Sequence, residues 1–164
     1  MSRLEQPLNH RMLWNTGDLI LRVELDLLLK DHYGNWHART FRVDTSSDMT
    51  TMPAHDAQRL GLPLPANPVP LKHEQTGLEI RSGYIRCQIV GMDQTEYVFP
   101  CFFLGDPGVM PDPNAPPTTR ARHLLGLSGV IDKIRILFDG DPGPGAPHGY
   151  LIVEKKKPHS IAYY

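Results

Sequence analysis

Phe41-Arg42-Val43-Asp44-Thr45-Ser46-Ser47-Asp48-Met49-Thr50-Thr51-Met52-Pro53 is the stretch on which the reading of this chain turns. Residues 36–43 alternate in polarity, with Phe41 and Val43 on one face of a strand. The strand ends at a carboxylate followed by three hydroxyl side chains. Short oxygen-bearing side chains bond nearby main-chain groups, so 44–47 reads first as an Asx or ST turn. Further on, Pro53-Ala54-His55-Asp56-Ala57-Gln58-Arg59-Leu60-Gly61 supports a short helix that opens on proline and is stopped by glycine.

The flanking sequence is mostly that of an all-β protein. Upstream, Leu19, Leu21, Val23, Leu25, Leu27 and Leu29 fall on one side of a period-two pattern and Arg22, Glu24 and Asp26 on the other. With a turn at Tyr33-Gly34-Asn35, this predicts a hairpin with 36–43. A second hairpin is predicted from 78–90 and 95–104, with Pro100 at an edge or bulge. Prolines cluster in 61–70, 105–119 and 141–147, which excludes helix interiors and central strands there. These stretches read as loops, some of them candidates for a substrate-facing rim. Residues 128–134 support a second helix, followed by an extended 135–138, and 150–153 suggests a last strand. Glu154-Lys155-Lys156-Lys157 reads as a solvated face. No internal repeat is present.

Composition narrows the function classes. The 164 residues suit about one domain with a core that needs no metal or disulfide staples. Seventeen basic against eighteen acidic residues give a net charge of −1, which argues against nucleic acid as a principal partner. The sequence shows neither a signal-peptide pattern nor an 18-residue apolar run, so a cytoplasmic protein without membrane association is the expectation. Cys87 and Cys101 read as two ordinary thiols. The eight histidines, His32 and His37 beside a turn among them, lack zinc-site spacing and read as surface or packing residues. Gly143, Gly145 and Gly149 do not form a phosphate loop. Trp14, Trp36, Tyr163 and Tyr164 are core or interface aromatics, with core preferred for Trp36. At least two of Phe99, Phe102 and Phe103 are assigned to the core.

The segment 43–53 resembles the active-site loop of retropepsin-like aspartic proteases, whose usual form is an apolar residue, Asp, Thr or Ser, Gly, Ala or Ser, often Asp, then a short β-like run ending in Pro. About eighty residues on, Leu124-Leu125-Gly126, followed by 128–139, resembles that fold's second signature, an apolar pair and Gly leading into a C-terminal helix and a strand. The resemblance covers 19–139 and is greatest to bacterial single-domain members. It implies a small all-β closed barrel of the acid-protease fold with one short C-terminal helix. Residues 1–18 would be an arm and 140–164 a Pro/Gly-rich tail.

For function, the resemblance implies an aspartic endopeptidase with Asp44 as its catalytic residue, and neither metal nor other cofactor. Two carboxylates about 3 Å apart share one proton, one acting as general base toward water and the other polarising the scissile carbonyl. One motif and no repeat mean that the second carboxylate must be Asp44 of another copy, in a C2 homodimer. Thr45 would brace the paired loops, and Ser47 would hydrogen-bond Asp44. Ser46 and Asp48 complete the supporting loop. Ile80, Arg81, Ser82, Gly83 and Tyr84 would belong to, or adjoin, a flap over a peptide or protein substrate.

The chain departs from the pattern twice. Ser46 stands where the family carries Gly, and a Cβ there crowds the catalytic pair and substrate. Leu127 stands where related retroviral enzymes often carry an Arg that pairs with the acid matched by Asp48. Arg86, Arg120 and Arg122 are the candidates to replace that Arg; otherwise Asp48 is a solvent-exposed turn residue. These departures favour the alternative reading, an inactive protease-like module that binds a peptide or protein. A structural or assembly domain that docks through its proline-rich segments is a third.

Overall fold

The computed structural model describes residues 2–12 and 16–156. Trp14, Lys157, His159, Tyr163 and Tyr164 lie outside the described residues. In chain order the elements are β1 (Arg3–Pro7), β2 (Asn9–Met12), β3 (Leu19–Arg22), β4 (Glu24–Lys30), β5 (Trp36–Val43), β6 (Thr50–Pro53), α1 (Ala54–Leu60), β7 (Ile80–Ile89), β8 (Tyr97–Leu104), β9 (Leu124–Leu125), β10 (Ile134–Asp139) and β11 (Tyr150–Lys155).

Both predicted hairpins form, β4 with β5 and β7 with β8, each antiparallel. Six strands pair in the cyclic order β4-β5-β9-β6-β8-β7, with β7 returning to β4. Their inward side chains make the core, including Leu25, Leu27, Phe41, Met52, Phe99, Phe103 and Leu125, each at most 1% exposed. Pro100 fits because β8 pairs with β6 only from Cys101 onward, so no ladder bond to β6 is asked of a residue without an N–H. The two cysteines are free and buried, and burial pushes the Cys87 thiol up to about 12.

The expected fold, a small closed barrel with one short C-terminal helix, is corrected. The six-stranded sheet comes round on itself only through the two-residue β9, which meets β6 at the single pair Thr51–Leu124 and β5 at two. The period-two run of 19–29 breaks at Val23. β3 leaves the ring to pair with β2, so Leu19 and Leu21 are exposed rather than buried. β10 also leaves it, for a separate antiparallel sheet in the order β1-β11-β10. Leu151, Val153 and Ile134 of that sheet join the same core from outside the ring.

No C-terminal helix forms; 128–133 is a run of turns. The cause is Gly129, whose φ of +70° is incompatible with a right-handed helix. Its missing side chain also matters, because a Cβ there would stand 2.3 Å from Pro100 Cδ. Among the described residues the single α-helix is instead α1, which runs from Pro53 to a glycine cap at Gly61 as its end signals predict. Trp36 is half-buried under the Lys30 ammonium rather than in the core.

The first hairpin turn is held by a buried carboxylate. Asp31 Oδ1 accepts the N–H groups of Tyr33 and Asn35 at 2.8 and 2.9 Å, and Oδ2 meets His37 Nε2 at 2.9 Å. The hydrogen bond to His37, helped by those backbone donors against the effect of burial, lowers the Asp31 carboxyl to about 2. An ordinary aspartate titrates near about 4, so the stability it gives is full above that pH and drains as pH falls toward 2. Urea midpoints of wild type and Asp31→Asn should therefore converge as pH falls from 5 to 2; a constant gap would show that Asp31 is not the acid-sensitive group.

Candidate active site

β5 carries Asp44 out of the sheet, and the chain turns back at once. Ser46 donates to Asp44 Oδ1 twice, from its N–H at 3.0 Å and its hydroxyl at 2.6 Å. Ser47 N–H closes the turn on Asp44 O at 3.2 Å. The local chemistry is thus the Asx turn read from the sequence, with one difference. Ser46 is the side chain that bonds Asp44, whereas the Ser47 hydroxyl donates to Met49 O at 2.9 Å.

The second signature is laced to this loop. Asp44 N–H donates to Leu125 O at 3.0 Å, Leu127 N–H to Ser47 O at 3.1 Å, and Ser128 N–H to Asp48 O at 2.7 Å. Gly126 N–H reaches the buried Thr50 hydroxyl at 3.1 Å. Thr51, next along β6, donates to Arg122 O at 2.9 Å. Gly126 is required by proximity: a Cβ there would lie 2.4 Å from Met49 C and 2.5 Å from Met49 O. Main chain cannot yield as a flexible side chain can.

Behind β9, His123 is also fixed. Its Nε2 lies 2.7 Å from Asp56 Oδ2, and its ring meets Phe41 edge-on. Arg39 grips the same carboxylate with Nε and Nη2 at 2.9 and 3.0 Å. Burial would raise the Asp56 pKa, but the His123 and Arg39 hydrogen bonds outweigh it and hold the carboxyl well below the usual range.

Beside the loop lies a cleft of about 400 Å³, lined by residues 46–49, by Ile80 and Phe102, and by Val69 with 71–75. Phe99 and Phe103 are core, leaving Phe102 as the one of the three that reaches this cleft. Asp44 itself is half-buried just outside the lining, and Thr45 and Asp48 are exposed. No ion pair reaches Asp48 among the described residues. Arg120 bonds Pro113 O instead, and Arg122 lines a different cleft. Of the five residues assigned to a flap, Ile80 alone lines the cleft; Arg81, Ser82, Gly83 and Tyr84 run on along β7.

What faces the loop across the cleft is a small hairpin that the sequence reading passed over. Lys72 bridges Glu79, His73 N–H donates to Leu78 O at 2.9 Å, and Val69 N–H to Ile80 O at 2.8 Å. At its tip, His73 Nδ1 and the Thr76 hydroxyl share a hydrogen bond at 2.9 Å, and burial lowers the His73 pKa. The usable signal was Glu74-Gln75-Thr76-Gly77 between Leu71-Lys72 and Leu78-Glu79, a turn between two short extended pairs.

Among the described residues no cluster of three His, Cys, Asp or Glu side chains is placed to hold a metal ion, and no helix is long and apolar enough to cross a membrane. No family model matches the chain, and no curated protein matches it. Among solved structures, the crystal structure of a retropepsin-like aspartic protease from Rickettsia conorii is similar over 94% of this chain and 95% of its own, at 15% identity and a TM-score of 0.46.

The lacing makes a direct prediction. Gly126→Ala should cost about 3 kcal/mol or more, at or beyond the upper end of ordinary overpacking, read as a drop in the urea midpoint. A change below about 0.5 kcal/mol, the size of a neutral surface substitution, would mean that the two segments do not meet there.

Proposed function

We propose that this chain is an aspartic endopeptidase whose site is completed by Asp44 of a second copy. The observation that carries the reading is the fixed presentation of Asp44. The loop is tied by three hydrogen bonds to 125–128, and a fourth ties Gly126 to β6, beside a cleft with an apolar component and room for an extended peptide. A carboxylate that must meet its twin needs a rigid mount, because about 1 Å of misplacement costs about a hundredfold in rate. The exposed Thr45 is free to face the other loop. The 69–79 hairpin would close over substrate and exclude water.

In the paired site one Asp44 is ionised and takes a proton from water; the other, protonated, hydrogen-bonds the carbonyl oxygen. Water oxygen adds to the carbonyl carbon. The C–N bond then breaks as the amine leaves with a proton, and no covalent enzyme intermediate forms. Ser46 donates to Oδ1 of Asp44 and thereby leaves Oδ2 as the oxygen available to water and to the partner.

That same serine is the observation favouring a second reading, a module that binds peptides without cutting them. Its N–H and hydroxyl both occupy Asp44 Oδ1, and its side chain stands where the family carries Gly, in the space a second carboxylate and a substrate would need.

Cleavage of a peptide library by wild type and Asp44→Asn separates the two. The proposal expects hydrolysis that falls at least about a hundredfold in the variant, the lower range for loss of a general base, while peptide binding persists. Binding with no cleavage by wild type under any pH from 3 to 8 would leave the module reading standing and remove the enzyme.

A further inference from the structure

A second cleft, of about 440 Å³, shares no lining residue with the Asp44 cleft, and its lining is cationic. Register explains why. Glu24 pairs with Arg42, Arg42 with Leu124, and Leu124 with Thr51. Side chains two residues apart on a strand share a face, so Arg22, Arg42 and Arg122 are delivered to one side of neighbouring segments. All three line the cleft.

Their charges are poorly matched by protein groups. Neither Arg42 nor Arg122 has a side-chain hydrogen bond or ion pair among the described residues. Arg22 is ion-paired with Glu24, Nε to Oε1 at 3.8 Å, yet that Nε is shut off from solvent and makes no hydrogen bond. Glu24 is the one acidic residue in the lining. The hydroxyl of Thr40, also in the lining, is turned to Asp26 at 2.6 Å, and His123 is held by Asp56. The donors left over are guanidinium N–H groups.

We propose that this cleft binds a phosphate group, free or carried on a small molecule. Three guanidinium forks exceed what one carboxylate with two oxygens can use, and they suit a dianion with three or more acceptor oxygens. The volume is larger than phosphate alone fills and falls within the usual range for small-molecule sites. The site is independent of the peptidase reading, because none of its lining residues lines the Asp44 cleft.

Calorimetric titration of the full chain with inorganic phosphate and with O-phosphoserine tests this, with acetate at matched ionic strength as the control. Both phosphates should bind saturably. Arg42→Gln and Arg122→Gln should each weaken binding by about tenfold or more, the loss of a charge-assisted contact. Arg59→Gln, exposed on α1 and outside the cleft, should not weaken it. O-phosphoserine tighter than phosphate would assign the remaining volume to the organic part; equal affinities would assign the site to the phosphate group alone. The proposal is overturned if neither phosphate saturates at millimolar concentration, if acetate binds equally, or if Arg59→Gln weakens binding as much as the cleft variants. Arg122, exposed and outside the ladder, supplies a folded variant should Arg42→Gln fail to fold.

Discussion

The structure around Asp44 depends on two backbone segments passing in van der Waals contact where Gly126 meets Met49. The main chain of 49–50 occupies the space a side chain at 126 would need. That approach allows the Asp44 N–H to reach Leu125 O, and lets residues 127 and 128 bond back to 47 and 48. It also sets the narrowest point of the sheet. β9 is only two residues long, and the two buried threonines of β6 secure its surroundings, Thr50 by accepting from Gly126 and Thr51 by donating to Arg122 O. Buried hydroxyls without such partners would be costly. The place where the ring is thinnest is thus where side chain to main chain bonds replace the ladder.

The remaining strands support this arrangement from outside. The sheet of β1, β11 and β10 lays Leu151 and Val153 on the common core, so both ends of the described chain are fastened to the body that carries Asp44. Its outer face is stitched by Arg3 with Glu5 and Glu154, around a largely buried Ile152. The fork of Arg39 on Asp56 links β5 to α1, and Asp56 in turn orients His123 at the entry to β9. The proposed pairing of Asp44 with a second copy would require a loop fixed on rigid elements in this way.

Much of this was legible in the sequence, and the failures have physical causes. The two hairpins followed from period-two patterning, and α1 from its proline and glycine end signals. The Asp44 turn followed from its short polar side chains. The C-terminal helix failed because local pattern in 128–134 does not reveal that Gly129 sits against Pro100, a contact made only in the folded chain. Leu19 and Leu21 lie on the apolar face of the pattern yet stay exposed, because alternation marks a face without saying which sheet the strand joins. Ser46 could be read as a departure at a tight position, but which serine bonds Asp44 depends on rotamers the sequence does not set. The 69–79 hairpin was hidden by the prolines before it, which made the whole region look like a loop.

The proposed peptidase site is shared between two copies of the chain. The most direct measurement is the separation of the two nearest Asp44 carboxylates in a crystal of the full chain. A shared site requires a two-fold axis at the loop, with carboxylate oxygens of the two copies about 3 Å apart, the spacing at which they share a proton. Asp44 loops facing solvent, or paired copies whose carboxylates stand too far apart to share a proton or a water, would contradict it.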